Sequence, residues 1–287
     1  VRGHLSMGFI GTRDLGLAEQ AGRTHFCSLR KVPSQASTAL GWVDLSMAAG
    51  NPLPQYYASN PLESARLDGF RGVFHGDDKL PSTMHLVDWN LVTPSAAMVG
   101  RYKMLRHGLY YPFLDGDSLD QQDLLNSVAP ENAPAAGWKV MIVAVAPTLG
   151  GGTLTFNYFR NGVEKTSPVI ALNTAVVNIA SIATGDPAVT AGGQPFARLA
   201  NGDDGVDYLT SVTFIAPSGG LFAFVLVDPI GDHAIREINT PAEKNFVQAH
   251  PGAPRIFDGD YINFIANPAA SVAAGQLAGF CKFAWSA

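Results

Sequence analysis

From Trp138 onward, short apolar runs alternate with turn residues about every eight to twelve positions, a spacing that predicts an all-β unit. The clearest run is Thr153-Leu154-Thr155-Phe156-Asn157-Tyr158, which puts Leu, Phe and Tyr on one face and Thr, Thr and Asn on the other. It ends at Asn161-Gly162, a pair suited to the type I′ hairpin turn because both central positions need positive φ, so Val163 to Ile170 is predicted to return antiparallel. Further strands are predicted at Val140 to Ala146, Ala175 to Ile182, Tyr208 to Ala216, Leu221 to Val227, Ala234 to Ile238, Tyr261 to Ala266 and Leu277 to Trp285. Leu221 to Val227 is apolar on both faces, the mark of an inner strand covered twice, once by an opposing sheet and once by an N-terminal arm or a neighbour.

Upstream, Met84 to Val92 and Tyr102 to Phe113 read as two more strands. Four capped starts predict short helices. Asn60-Pro61 with Glu63 opens one that Gly69 ends, and Ser118 with Gln121 opens a second; Thr240-Pro241 and Asn267-Pro268 open the others. Residues 1–75 lack sustained periodicity and are broken by Pro33, Pro52, Pro54 and Pro61, so they read as an extended arm or long loops. Their aromatic content is too high for a solvated tail, and the arm is expected to lie against something. The chain thus divides into an arm at 1–75, connecting strands and a short helix at 76–136, and a β-sandwich at 137–287. The expected fold is all-β: a β-sandwich of jelly-roll type with a long irregular N-terminal arm and a few short capped helices.

Composition adds a partner to this picture. Of the 287 residues, 47% are hydrophobic, which excludes disorder, yet only 15% are charged, against roughly 25% in ordinary soluble domains. Surface charge keeps proteins solvated and apart, so the deficit implies surface that meets other protein. Residues 137–287 hold only eight Lys and Arg: Lys139, Arg160, Lys165, Arg198, Arg236, Lys244, Arg255 and Lys282. With net charge −5 and scattered basic residues, no footprint for nucleic acid or an anionic membrane is present. No apolar stretch approaches a bilayer span, and the opening around Arg2, His4 and Gly8 has no signal-peptide core, so the expectation is synthesis in a cytoplasm. Cys27 and Cys281 lack metal-type spacing and read as buried free thiols, with a disulfide between them as the alternative.

Gly116-Asp117-Ser118-Leu119 spells the motif that names the GDSL serine hydrolases, but no histidine follows an aspartate by three positions to supply the family's base. Ser118 is instead expected to cap a helix whose positive end Asp115, Asp117 and Asp120 favour. Asp115 to Asp123 fails the EF-hand template, because the sixth position is Asp120 and the twelfth Asn126. The acidic loops Asp203 to Asp207, Asp258 to Asp260, and Asp228 with Asp232 read as Asx turns rather than cation sites. His75 to Asp78 and Asp232-His233 carry no pattern that joins them, and Gly150 to Gly152 lacks the Lys-Ser/Thr of a phosphate loop. No cofactor, metal or catalytic residue is therefore expected. The aromatics Trp42, Tyr56, Tyr57, Phe70, Phe74, Tyr110 and Tyr111 are candidates for a protein interface, with sugar stacking as the alternative for the two tyrosine pairs.

The arm around Pro52-Leu53-Pro54-Gln55-Tyr56-Tyr57, the stretch Gly108-Leu109-Tyr110-Tyr111-Pro112-Phe113-Leu114-Asp115, and the Gly/Ala/Thr-rich strands after them resemble auxiliary structural proteins of tailed bacteriophage virions, especially head decoration or cement proteins. The resemblance is one of style over most of the chain. It implies a non-enzymatic homotrimer on the capsid surface that clamps neighbouring copies of a major capsid protein. A carbohydrate- or receptor-binding module of a phage tail is the alternative, and a serine hydrolase the second.

Overall fold

The computed structural model describes residues 11–37, 39–75, 84–172, 178–183, 193–248 and 252–286. Helix α1 is Thr12–Gln20, and the strands in chain order are β1 (Thr24–Val32), β2 (Val43–Asp44), β3 (Ala49–Asn51), β4 (Met84–Val92), β5 (Gly100–Asp115), β6 (Gln122–Asp123), β7 (Lys139–Ala144) and β8 (Thr153–Arg160). They continue as β9 (Val163–Thr166), β10 (Ile170–Ala171), β11 (Tyr208–Ala216), β12 (Leu221–Ile235), β13 (Ala242–Asn245), β14 (Tyr261–Pro268) and β15 (Leu277–Trp285). The all-β expectation holds, in three antiparallel sheets. A first sheet runs β13-β4-β15-β1-β3; a second runs β10-β8-β11-β6 with β9 also on β8; a shared sheet runs β2-β14-β5-β12-β7.

Two long strands explain how one sheet serves two others. β5 and β12 pair along most of their lengths, with three register shifts. Two shifts put an extra residue in β5, near Gly108 and near Phe113, whose φ is 60°, and the third puts one in β12 between Pro229 and Gly231. A proline inside a central strand costs a ladder hydrogen bond unless it sits at a bulge, and Pro112 and Pro229 both adjoin one. Past the bulges the side-chain alternation resumes. One face of the shared sheet then presents Tyr102, Met104, Phe264 and Ile235 to the first sheet, and Leu109, Tyr111, Phe222 and Phe224 to the second. Its other face carries Leu105, Tyr110, Val225, Val227 and Ile265 against Trp42, Tyr57, Leu67 and Ile182. Leu221 to Val227 is indeed covered twice, the second time by the N-terminal segment.

The edges of the shared sheet are joined. Ile182 bridges to Val143 of β7 and Ser181 to Val43 of β2. Ala180 N–H donates to Ala144 and Ala183 N–H to Ile142, while Asp44 N–H donates to Ala180 and Ile182 N–H to Trp42. The short segment 180–183 thereby links the two outermost strands and closes the sheet on itself, which removes two open edges.

Several expectations are corrected. Residues 11–37 and 39–75 are not an arm apart from the fold: β1 is an inner strand between β15 and β3, and β2 and β3 belong to two different sheets. The divisions at 75 and 136 likewise do not separate structural units, since β4 pairs with β15 and β5 with both β12 and β14. The helix expected at Asn60 is a turn in which Glu63 N–H donates to Asn60, and only the 3-10 turn Gly69–Arg71 is helical there, capped by Asp68. Ser118 caps no helix; Asp115 accepts from Asp117 N–H at 2.9 Å in an Asx turn that leads to β6. Thr240-Pro241 enters strand β13, and Asn267-Pro268 ends strand β14. The strand expected at 221–227 runs on to Ile235 as β12, and of the strand expected at 234–238 only Ala234 and Ile235 belong to it; residues 236–238 are not strand. Of the strand expected at 175–182, residues 175–177 lie outside the described residues.

Candidate functional site

The seven aromatics nominated as an interface divide sharply. Trp42, Tyr57, Tyr110 and Tyr111 are buried within the chain, whereas Tyr56, Phe70 and Phe74 are 61%, 55% and 38% exposed. The buried ones spend their polar ends internally. Trp42 Nε1 donates to Gly193 O at 2.6 Å, and the Tyr57 hydroxyl donates to Asp44, which also accepts from Ser46 Oγ at 2.6 Å. Tyr110 donates to Ala58 O; Tyr111 donates to Asn126 Oδ1 at 2.6 Å and accepts from Leu209 N–H. Adjacent tyrosines on extended chain point to opposite sides. At Tyr56-Tyr57 one side is solvent; at Tyr110-Tyr111 both sides are core, because the shared sheet is covered on both faces.

Sequence reading missed other exposed apolar groups. Phe26 is 58% exposed on the outer face of the first sheet, 6.0 Å from the Phe280 ring and beneath the Lys282 ammonium at 5.3 Å. Leu119, Leu125, Leu149 and Ile215 also face outward. The alternation of Phe26 with inward Cys27, Leu29 and Lys31 was a usable signal, but the inward lysine hides it.

Several charged groups are engaged inside the molecule. Arg106 lies on the shared sheet between its two lobes, with Nη2 donating to Asp228 at 2.8 Å and Nη1 3.7 Å from Asp260. Its guanidinium stacks between the rings of Trp138 and Phe257, at 5.4 and 5.1 Å. Burial pushes the Asp260 carboxyl up to about 6, against the opposing pull of Arg106. Lys31 is fully buried, donates to Ala48 O and Pro52 O, and is pushed by burial down to about 8 with Asp44 resisting. His107 lies between Tyr57 and Tyr261 with neither ring nitrogen hydrogen-bonded among the described residues, and burial lowers it to about 4, so it is neutral near pH 7.

The acidic loops are tied down as turns and ion pairs. Asp203 accepts from Lys165 at 2.7 Å and from Tyr158 at 2.6 Å. Asp207 pairs with Arg160 at 3.0 Å and accepts from Asn161 N–H, and Asp232 pairs with Lys103. Among the described residues no group of three or more His, Cys, Asp or Glu is placed to hold a metal. His75 binds Asp260 O at 2.9 Å, while Asp77, Asp78, His4 and His250 lie outside the described residues. A groove of about 840 Å³ opens where β5, β12 and β13 meet, lined by Arg101, Lys103, Asp232, His233, Arg236 and Lys244 among others. Its lining carries both signs of charge, with Lys103 paired to Asp232.

What these residues define is a set of exposed apolar side chains on a charge-poor β framework, several of whose ionic groups are paired within the chain. Comparison with protein-family models, with curated proteins and with solved structures gave no match.

Proposed function

We propose that the chain is a non-enzymatic virion structural protein, a homotrimer that cements or decorates a phage capsid by binding neighbouring major capsid subunits. In this reading the sandwich is of jelly-roll type and sits on the capsid surface. The observation that carries it is the display of Tyr56, Phe70 and Phe74 by the N-terminal segment of a chain that is only 15% charged. Large aromatic groups held on a preformed framework lose little conformational freedom on docking, and they fit interface cores depleted of charge. No cofactor, nucleic acid or membrane enters the reading.

Light scattering of the purified protein and co-sedimentation with assembled capsid lattices test it. A trimeric mass with saturable lattice binding is expected. A monomer with no affinity for lattices overturns the proposal, and calcium-dependent retention on a glycan array would favour the carbohydrate-binding alternative instead.

A further inference from the structure

Cys27 and Cys281, at opposite ends of the sequence, are direct cross-strand partners in the ladder of β1 and β15. That ladder runs without a register shift from Thr24 opposite Ala284 to Lys31 opposite Leu277, so the pairing is pinned on both sides. Directly opposed residues of an antiparallel pair send their side chains to the same face, and both thiols enter the same core beside Leu29 and Phe283. Opposed Cα atoms in such ladders lie about 4.5–5.5 Å apart, inside the span a disulfide bridges. The corresponding Cβ separation exceeds the disulfide mean by on the order of 1 Å, so closure needs only a small approach of the two strands. Both thiols are free.

We propose that Cys27 and Cys281 are a site of reversible oxidation, at which a small disulfide such as oxidised glutathione converts the pair to a cross-strand disulfide that clasps the two ends of the chain. Cys27, 5% exposed, is the entry point; Cys281, fully buried, is the resolving thiol. The Cys27 thiolate attacks one sulfur of the small disulfide, forming a mixed disulfide and expelling one small thiolate. The Cys281 thiolate then attacks Cys27 Sγ, forming the protein disulfide and expelling the second. Two protein thiols lose two electrons and two protons, and one small disulfide gains them as two small thiols. Burial raises both thiols above their ordinary values, Cys281 well above, so the exchange is slow near pH 7 and quickens as pH rises. The inference does not rest on the proposed function.

The test exposes the native protein to oxidised glutathione, alkylates remaining thiols after unfolding, and maps the peptides by mass. The expected product is one intrachain Cys27–Cys281 link, lighter by two hydrogens, carrying no glutathione and reversed by dithiothreitol. Its thermal midpoint should rise by about 5 °C, because the closed loop spans nearly the whole chain. In Cys281→Ala the reaction stops at glutathionylated Cys27, and in Cys27→Ala the remaining Cys281 stays unmodified. Two alkylatable thiols after exposure under native conditions at raised pH, or links only between separate chains, overturn the proposal. An intrachain link that leaves the midpoint unchanged overturns the clasp.

Discussion

The lobes on either side of Arg106 share one sheet but are assembled differently. The second-sheet lobe is built in part from near neighbours: β8 turns at Asn161-Gly162 into β9, and the same edge of β8 then receives β10. Its core is aromatic, with Phe156, Tyr158, Phe214, Phe222, Phe224 and Trp138 in one cluster. The first-sheet lobe joins the ends of the sequence, β1 against β15 and β15 against β4. Its inward-facing positions include a fully buried lysine and two free thiols. The contrast teaches that local pairing tolerates a plain apolar pattern, while the long-range closure is where polar and reactive groups enter the core.

The largest expected effect falls on the seam. Arg106→Met should leave the Asp228 and Asp260 carboxylates without their cation and lower stability by about 3–5 kcal/mol, read as a lower urea midpoint. If the shared sheet couples the lobes, near-UV and far-UV signals should shift together; separate transitions would show the lobes to be independent. Phe224→Ala, in the aromatic core of the second lobe, should cost a similar or slightly smaller amount, about 3–4 kcal/mol.

The first lobe should carry a pH signature through Lys31. Its folded value of about 8 lies below the ordinary lysine value of 10.5, so between those limits the unfolded chain binds more protons. Stability is therefore expected to rise as pH increases from about 8 towards 10.5, and Lys31→Met should abolish that rise in pH-dependent urea titrations. In the second lobe, Gly162→Ala should cost about 1 kcal/mol, since Gly162 sits at φ 75° with open space around it and the penalty is backbone conformation alone.

The same contrast explains what could be read from the chain. β4, β11 and β15 match their expected limits, and the hairpin at Asn161-Gly162 forms with both residues at positive φ. In these elements local chemistry and tertiary context agree. β1 was illegible because Lys31 occupies an inward position, breaking a period-2 pattern that burial otherwise obeys at Cys27 and Leu29. α1 gave no signal because it buries a single residue, Ala18, and lacks a side-chain cap. The capped helix starts failed for the opposite reason: a capping box is a local preference, and at Asn60 and Ser118 the backbone pairs elsewhere, with Glu63 bridging to Leu125 and Gln122–Asp123 joining β11. In the candidate interface, residue type pointed to aromatic anchors but could not say which face each tyrosine took. That depended on the coverage of both faces of the shared sheet.

Small effects on stability should accompany the largest effect on binding. In a triple variant, Tyr56→Ser and Phe70→Ser remove exposed rings and should each change stability by no more than about 0.5 kcal/mol. Phe74→Ser removes a 38% exposed ring that packs edge-on against His25, and should cost about 1 kcal/mol. Co-sedimentation of this triple variant with assembled capsid lattices, beside the parent protein, is the most direct test of the claim that the charge-poor surface is an interface. The account predicts a normally folded protein whose lattice affinity falls at least about tenfold, roughly 1.4 kcal/mol. Equal binding by parent and variant, or no binding by the parent, would contradict it.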